Sequence, residues 1–225
     1  MNKKSIFAIS FILLLLTLDQ VFKIWVKTTM YLGEEIPIFG SWFKLHFIEN
    51  EGMAFGIVLL GGYWGKLFLT LFRLLASIGI GWVVCKMIKQ NVSWGLLVCT
   101  SLVLAGAVGN IVDSVFYGKI FSASYYFGPV ATLFPEQGYA AVFQGHVVDM
   151  LQFDLFVINF PQWMPFWGGS SMSFFPAIFN LADSCITIGL FVLILFYYKS
   201  FSLFINTFGT STQQRATTQQ RDNNS

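Results

Sequence analysis

The chain has 225 residues, 56% of them hydrophobic and only 11% charged, with a mean hydropathy of +0.67 and a formal net charge of +2. Soluble domains carry about a quarter charged residues, so this composition excludes one and indicates an integral membrane protein of a single domain. The small net charge, with no Lys/Arg cluster, excludes a nucleic-acid partner.

Four apolar segments approach the roughly 20 residues needed to cross a bilayer: 6–26, 67–84, 92–115 and 177–198. In the first, Lys3 and Lys4 precede an apolar run, as in a signal peptide. No small-residue cleavage site follows, and Asp19-Gln20-Val21-Phe22-Lys23 continues the helix, so an uncleaved span is expected. Asp19 and Lys23 stand i,i+4 and can pair on one helix face, either as structural support or in contact with a ligand. The loop 27–66 follows, and within it 39–48 alternates as a strand does, with Phe43, Leu45 and Phe47 on one face. The second span carries Arg73. A short basic loop, 86–91, leads to the third, which carries Asn110 and Asp113 near its end.

The loop 116–175 holds a second β-rich stretch, 147–160, containing Asp149. The two loops are expected to pair as a small sheet on the outer membrane surface. Their aromatics (Trp42, Tyr63, Trp64, Trp163, Trp167) suit the headgroup layer. Asn180 and Asp183 open the fourth span, and the polar tract 207–225 is expected to be a disordered cytoplasmic tail. Cys85, Cys99 and Cys185 lie in apolar segments and read as packing residues.

Charge orients the chain. Seven Lys/Arg flank one side and six the other, but ten of the eleven acids lie opposite the basic loop 86–91. Both termini are therefore expected in the cytoplasm. With about 1.5 Å of rise per residue, Asp19 and Arg73 fall roughly 10 Å below the outer face, near Asp113, Asn180 and Asp183. Polar groups from all four spans thus share one layer.

An ionisable group inside a membrane segment is costly and marks function by default. Asp183 is such a group, and Asp149 returns to the same surface as its candidate partner. Two carboxylates in one site share a proton, which supplies a general base for water and a general acid for the leaving amine. No cofactor or metal is expected, because His46 and His146 have no Cys, His or Glu at ligand spacing. No G-x-S-x-G or Ser-x-x-Lys motif supports a serine nucleophile. The competing class is a binding or transport protein that passes protons or ions through buried carboxylates, although the chain has no internal repeat.

The motifs Asp19-Gln20-x-x-Lys23, Glu49-Asn50-Glu51-Gly52-Met53-Ala54-Phe55-Gly56, Gly109-Asn110-x-x-Asp113, Gly145-x-Val147-x-Asp149 and Phe179-Asn180-x-Ala182-Asp183 together resemble the lipoprotein signal peptidase (signal peptidase II) family, over residues 5–198. The resemblance implies a mainly α membrane protein of four transmembrane helices with a small extracytoplasmic β-sheet, a peptidase domain over 1–206. It implies Asp149 and Asp183 as the catalytic dyad. Asn50, Asn110 and Asn180, with Asp19 and Lys23, shape or support the site, and Asp113 closes the third span's motif. Gly52 begins a flap-like segment. The implied substrate is a diacylglyceryl-modified prolipoprotein, cut just before its lipidated cysteine in the bacterial inner membrane. Lipid contacts among the spans and a monomeric state are further expectations.

Two departures stand out. The family's arginine after the span-three aspartate is Ser114 here, and Arg73 either replaces it from another helix or snorkels to the interface. The stretch 119–144, with Tyr125, Tyr126, Phe127 and Phe134, exceeds the family's usual length. It is expected to be a lid or partner-contact segment on the membrane surface, or an elaboration without function.

Overall fold

The computed structural model describes residues 2–40, 42–51, 62–154, 157–173 and 177–207. Four helices, α1 (Lys3–Thr29), α2 (Tyr63–Lys89), α3 (Trp94–Ile120) and α4 (Leu181–Thr207), each have 27 residues and are long and apolar enough to cross a membrane. At 1.5 Å per residue each spans about 40 Å, more than the roughly 30 Å hydrocarbon core. Most helix ends overrun the apolar segments read from sequence, because lysines such as Lys27, Lys86 and Lys89 continue a helix that hydropathy alone ends early.

The fourth helix departs in the other direction. It starts at Leu181 rather than 177, and Asn180 is its N-cap. The two residues before that cap, Ile178 and Phe179, pair as a strand with Gln152 and Leu151. A hydrophobic stretch that looked helical is thus divided between sheet and helix.

α3 is the central helix: half of its apolar window is buried, against 11–17% for the others. Small residues permit this. A Cβ on Gly106 would collide with the carbonyl of Ala182, and one on Gly189 would lie 2.8 Å from the carbonyl of Cys99. Close backbone approach of this kind is how helices pack without a hydrophobic drive between them. α3 widens into a π-helical turn over Asp113–Tyr117, a local irregularity that often accompanies a functional site.

At one end of the bundle, the Lys4 ammonium bonds the carbonyls of Asn91 and Val92, and the Thr207 hydroxyl reaches Gln90 Oε1 at 3.3 Å. The start of α1, the α2–α3 turn and the end of α4 therefore gather there. The opposite end carries the sheet. Its strands are β1 (Glu35–Phe39), β2 (Phe43–Asn50), β3 (Val147–Phe153) and β6 (Ile178–Phe179), antiparallel in the order β1-β2-β3-β6. A separate pair, β4 (Val157–Asn159) and β5 (Ser171–Ser173), stands beside it.

The strand expected over 39–48 is therefore a hairpin: β1 ends at Phe39, β2 begins at Phe43, and the register shifts between Leu45 and Ile48. The strand expected over 147–160 is two strands, β3 ending at Phe153 and β4 over Val157–Asn159, which pair with different partners. Leu45 and Phe47 of β2 and Val148 and Met150 of β3 share one buried core with Val26, Met30 and Tyr117.

The stretch 119–144 is built into this core. Phe121 and Ala131 are fully buried members of it. Phe134 N–H donates to Ile120 O at 2.7 Å, Tyr139 N–H to Phe121 O at 3.2 Å, and Leu32 N–H to Tyr125 O at 3.1 Å. Tyr139 packs against the same core, whereas Tyr125, Tyr126, Phe127 and Phe134 are exposed.

Candidate active site

The polar residues of the four helices meet where the sheet joins the bundle. β3 carries Asp149, almost wholly buried, and the first turn of α4 carries Asp183. Asn180 lies between them. Its side-chain amide donates to Asp149 Oδ1 at 2.7 Å, to Asn110 Oδ1 at 3.0 Å and to the Val148 carbonyl at 3.2 Å. Its side-chain oxygen accepts from Asp183 N–H at 2.9 Å, and the Asp183 carboxylate faces Asn180 N–H at 3.4 Å. Asn180 and Asp183 thus form a reciprocal N-terminal cap.

The remaining oxygens are also held. Asp149 Oδ2 accepts from the Asn50 amide at 3.2 Å, and Asp183 Oδ1 from the Asn110 amide at 2.7 Å. The environments of the two acids differ. Burial, reinforced by the charge of Asp183, pushes the Asp149 carboxyl up to about 7, against the smaller opposing effects of Asn50, Lys23 and Asn180. Asp183 sits instead in the capped first turn of α4.

Behind these acids lies a fully buried ion cluster. Lys23 Nζ is 3.0 Å from Asp19 Oδ2 and 2.8 Å from Asp113 Oδ2, and it donates to Asn110 Oδ1 at 2.9 Å. Asp19 Oδ1 accepts Ala182 N–H at 2.9 Å, and Asp113 Oδ2 accepts Val148 N–H at 3.2 Å. Gly109 leaves room for this, since a Cβ there would lie 2.8 Å from Asp19 Oδ2. Asp19 and Lys23 pair on one helix face, as their spacing allows, and both are enclosed by protein.

Arg73, on α2, is within electrostatic reach of Asp183 and Asp149. Ser114, in the position where an arginine was expected, is buried and returns its hydroxyl to the Asn110 carbonyl at 3.0 Å. Gly52 lies outside the described residues, as does the tail beyond residue 207. Among the described residues no group of three His, Cys, Asp or Glu side chains is arranged to hold a metal ion.

Several polar neighbours of these residues escaped the sequence reading. Gln20 bonds Asp113 Oδ1 at 3.0 Å and the Gly109 carbonyl at 3.2 Å, and it accepts from the Tyr117 hydroxyl at 3.0 Å. Its place inside the Asp19–Lys23 motif was the available signal. A second polar cluster, on the other face of β2, joins Lys27, Glu49, Ser124, Tyr139 and His146. The Lys27 ammonium meets Glu49 Oε1 and donates to Ser124 Oγ at 2.9 Å. Ser124 donates to Glu49 Oε1 at 2.6 Å, and His146 Nδ1 lies 2.9 Å from Glu49 Oε2. The Tyr139 hydroxyl accepts His146 N–H at 2.7 Å. Burial alone would raise the Glu49 carboxyl, but His146, Lys27 and Ser124 together outweigh it and hold it down at about 2.

The sequence profile of a family described as "Signal peptidase (SPase) II" matches residues 11–199. A "Lipoprotein signal peptidase" of Porphyromonas gingivalis is 48% identical over 210 residues, covering 92% of this chain and 89% of the relative. One from Amoebophilus asiaticus is 39% identical over 186 residues, covering 81% and 74%. Among solved structures, a bacterial membrane enzyme aligns with a TM-score of 0.54 at 23% identity, over 87% of this chain and 89% of that one. That last likeness supports the fold alone.

Proposed function

The chain belongs to the signal peptidase II family, and we propose that Asp149 and Asp183 are its catalytic pair, acting on diacylglyceryl-modified prolipoproteins just before the lipidated cysteine. Membership makes it an aspartic endopeptidase that removes signal peptides from prolipoproteins in the bacterial inner membrane. It also decides against the ion-transport reading. The observation that carries the assignment is Asn180, which bonds Asp149 with its side chain and caps the helix turn of Asp183.

In this reading the pair shares one proton. The ionised carboxylate takes a proton from water as the water oxygen attacks the scissile carbonyl, and the protonated carboxyl gives its proton to the carbonyl oxygen. The tetrahedral intermediate then collapses, the C–N bond breaks, and the carboxyl that took the water's proton passes it to the leaving amine. The raised carboxyl of Asp149 makes it the proton holder in this reading, which leaves the base to its partner. Asn50, Asn110 and Asn180 hold the carboxylates, with Asp19, Lys23 and Asp113 behind them. Arg73 supplies the positive charge that Ser114 does not, and Gly52 opens the segment that follows β2.

Residues 1–206 act as one peptidase domain, working as a monomer among membrane lipids. The basic residues at the end away from the sheet support cytoplasmic termini and a site toward the outer leaflet. The test is cleavage of a diacylglyceryl prolipoprotein by purified protein, read as two fragments on a gel. Asp149→Asn and Asp183→Asn should each lose activity while remaining folded. Cleavage retained in both would end the aspartyl assignment.

A further inference from the structure

β2 presents two faces at its end. Side chains alternate along a strand, so Asn50 turns to the site, where it donates to Asp149. Glu49 turns to the other face with Phe47, whose side chain is fully buried. There it is held from three directions: by Lys27 of α1, by Ser124 of the stretch 119–144, and by His146 at the entry to β3. The Lys27 ammonium is itself completely buried. It lies 4.9 Å from the centre of the Tyr139 ring and 5.4 Å from that of Phe121, both contributed by the same stretch.

We propose that Glu49 is a positioning residue for the Asn50–Asp149 contact, and that the stretch 119–144 serves the peptidase by supplying the clamp that holds Glu49. A strand end is free to fray unless tied. Here the residue next to Asn50 is tied to α1, to the inserted stretch and to the lead-in of β3 at once. Asn50 and Asp149 lie diagonally across the β2–β3 ladder, since Asn50 pairs with Val147 and Ile48 with Asp149. A shift at Glu49 is therefore carried directly into the distance between the Asn50 amide and the Asp149 carboxyl. The stretch is thus neither a lid nor an idle elaboration: Ser124, Phe121 and Tyr139 form the back wall of the site's strand.

The inference rests on Asp149 being catalytic, so Asp149→Asn is included as a control. If that variant cleaves, the catalytic reading fails and the clamp is not at issue. If it does not cleave, the clamp is tested with Ser124→Ala, Glu49→Gln and Glu49→Asp. Because Glu49→Gln leaves a buried lysine uncompensated, Lys27→Met/Glu49→Gln is added, which removes the pair together.

The expected result is a fall in kcat per folded enzyme of about three- to tenfold for Ser124→Ala and more for Glu49→Gln. KM should be unchanged and Glu49→Asp should recover part of the loss. In an Asn50→Ala background the same substitutions should cost nothing further, because the residue through which they act is gone. Losses that multiply with Asn50→Ala overturn the proposal. So does a change confined to thermal stability, with kcat per folded molecule intact.

Discussion

Asp19 and Asp113, bridged by Lys23, each accept the backbone N–H of the residue immediately before one of the two site aspartates: Ala182 before Asp183, and Val148 before Asp149. One ammonium therefore ties together the two elements that carry the proposed pair. Lys23→Met leaves two buried carboxylates facing each other without a counter-charge. Breaking a buried ion pair in this way costs about 3–5 kcal/mol. Thermal unfolding in lipid or detergent should show a large drop in midpoint, with cleavage lost in step. An unchanged midpoint would mean that the cluster holds nothing.

The second prediction concerns pH. Asp149, with its carboxyl pushed up to about 7, keeps its proton in the folded protein where the unfolded chain would lose it, near pH 4. The sign follows. Its contribution is intact below pH 4, declines as pH rises from 4 to 7, and is fully lost above 7. Asp149→Asn removes that loss, so its stability relative to wild type should rise between pH 4 and 8, by on the order of 2–4 kcal/mol at most. Unfolding midpoints of both proteins at pH 4, 6 and 8 measure this, and a difference flat with pH contradicts it. Wild-type cleavage should also decline above neutrality as the shared proton is lost.

Gly109 and Gly79 offer a contrast. A Cβ on Gly109 meets Asp19 Oδ2 at 2.8 Å and the Ala182 Cβ at 3.1 Å, whereas one on Gly79 meets nothing within 4 Å. Gly109→Ala should destabilise by about 1–3 kcal/mol and reduce cleavage, because the displaced atom is a carboxylate that holds α4. Gly79→Ala should be neutral or stabilise by up to about 1 kcal/mol. Equal effects on midpoint would mean that the Gly109 approach is not tight.

Arg73 is tested by charge and shape. Removing one preorganised stabilising group from a reacting centre costs about 100- to 1,000-fold in rate, so Arg73→Gln should fall by up to that order and Arg73→Lys by less. Cleavage kinetics check this. Full activity in Arg73→Gln, with none in Asp149→Asn, would leave the guanidinium as an interfacial anchor.

The helices and the site aspartates were legible in the sequence because membrane chemistry makes charges conspicuous. Asp19, Lys23, Asp113 and Asp183 stood out against apolar runs, and Asp149 stood on the β-rich stretch expected to return to the same surface. The start of α4 was not legible. Ile178 and Phe179 are as apolar as a helix requires, and only their pairing with β3 makes them strand. The Glu49 clamp was hidden for another reason: Lys27, Ser124 and His146 are far apart in sequence and ordinary individually. Long-range partners of that kind leave no periodic trace.

The late start of α4 bears on how water reaches a bond cut within a membrane. Ala182 N–H meets Asp19, which lies ten residues before the end of α1, about 15 Å below it by helical rise. α4 thus opens well below the rim of its neighbour, and β6 occupies the approach instead. Strand backbone at that depth is tolerated only where protein encloses it or water wets it. β6 meets that condition through its pairing with β3, so the level of the two aspartates is reached along hydrogen-bonded sheet rather than along a bare helix end.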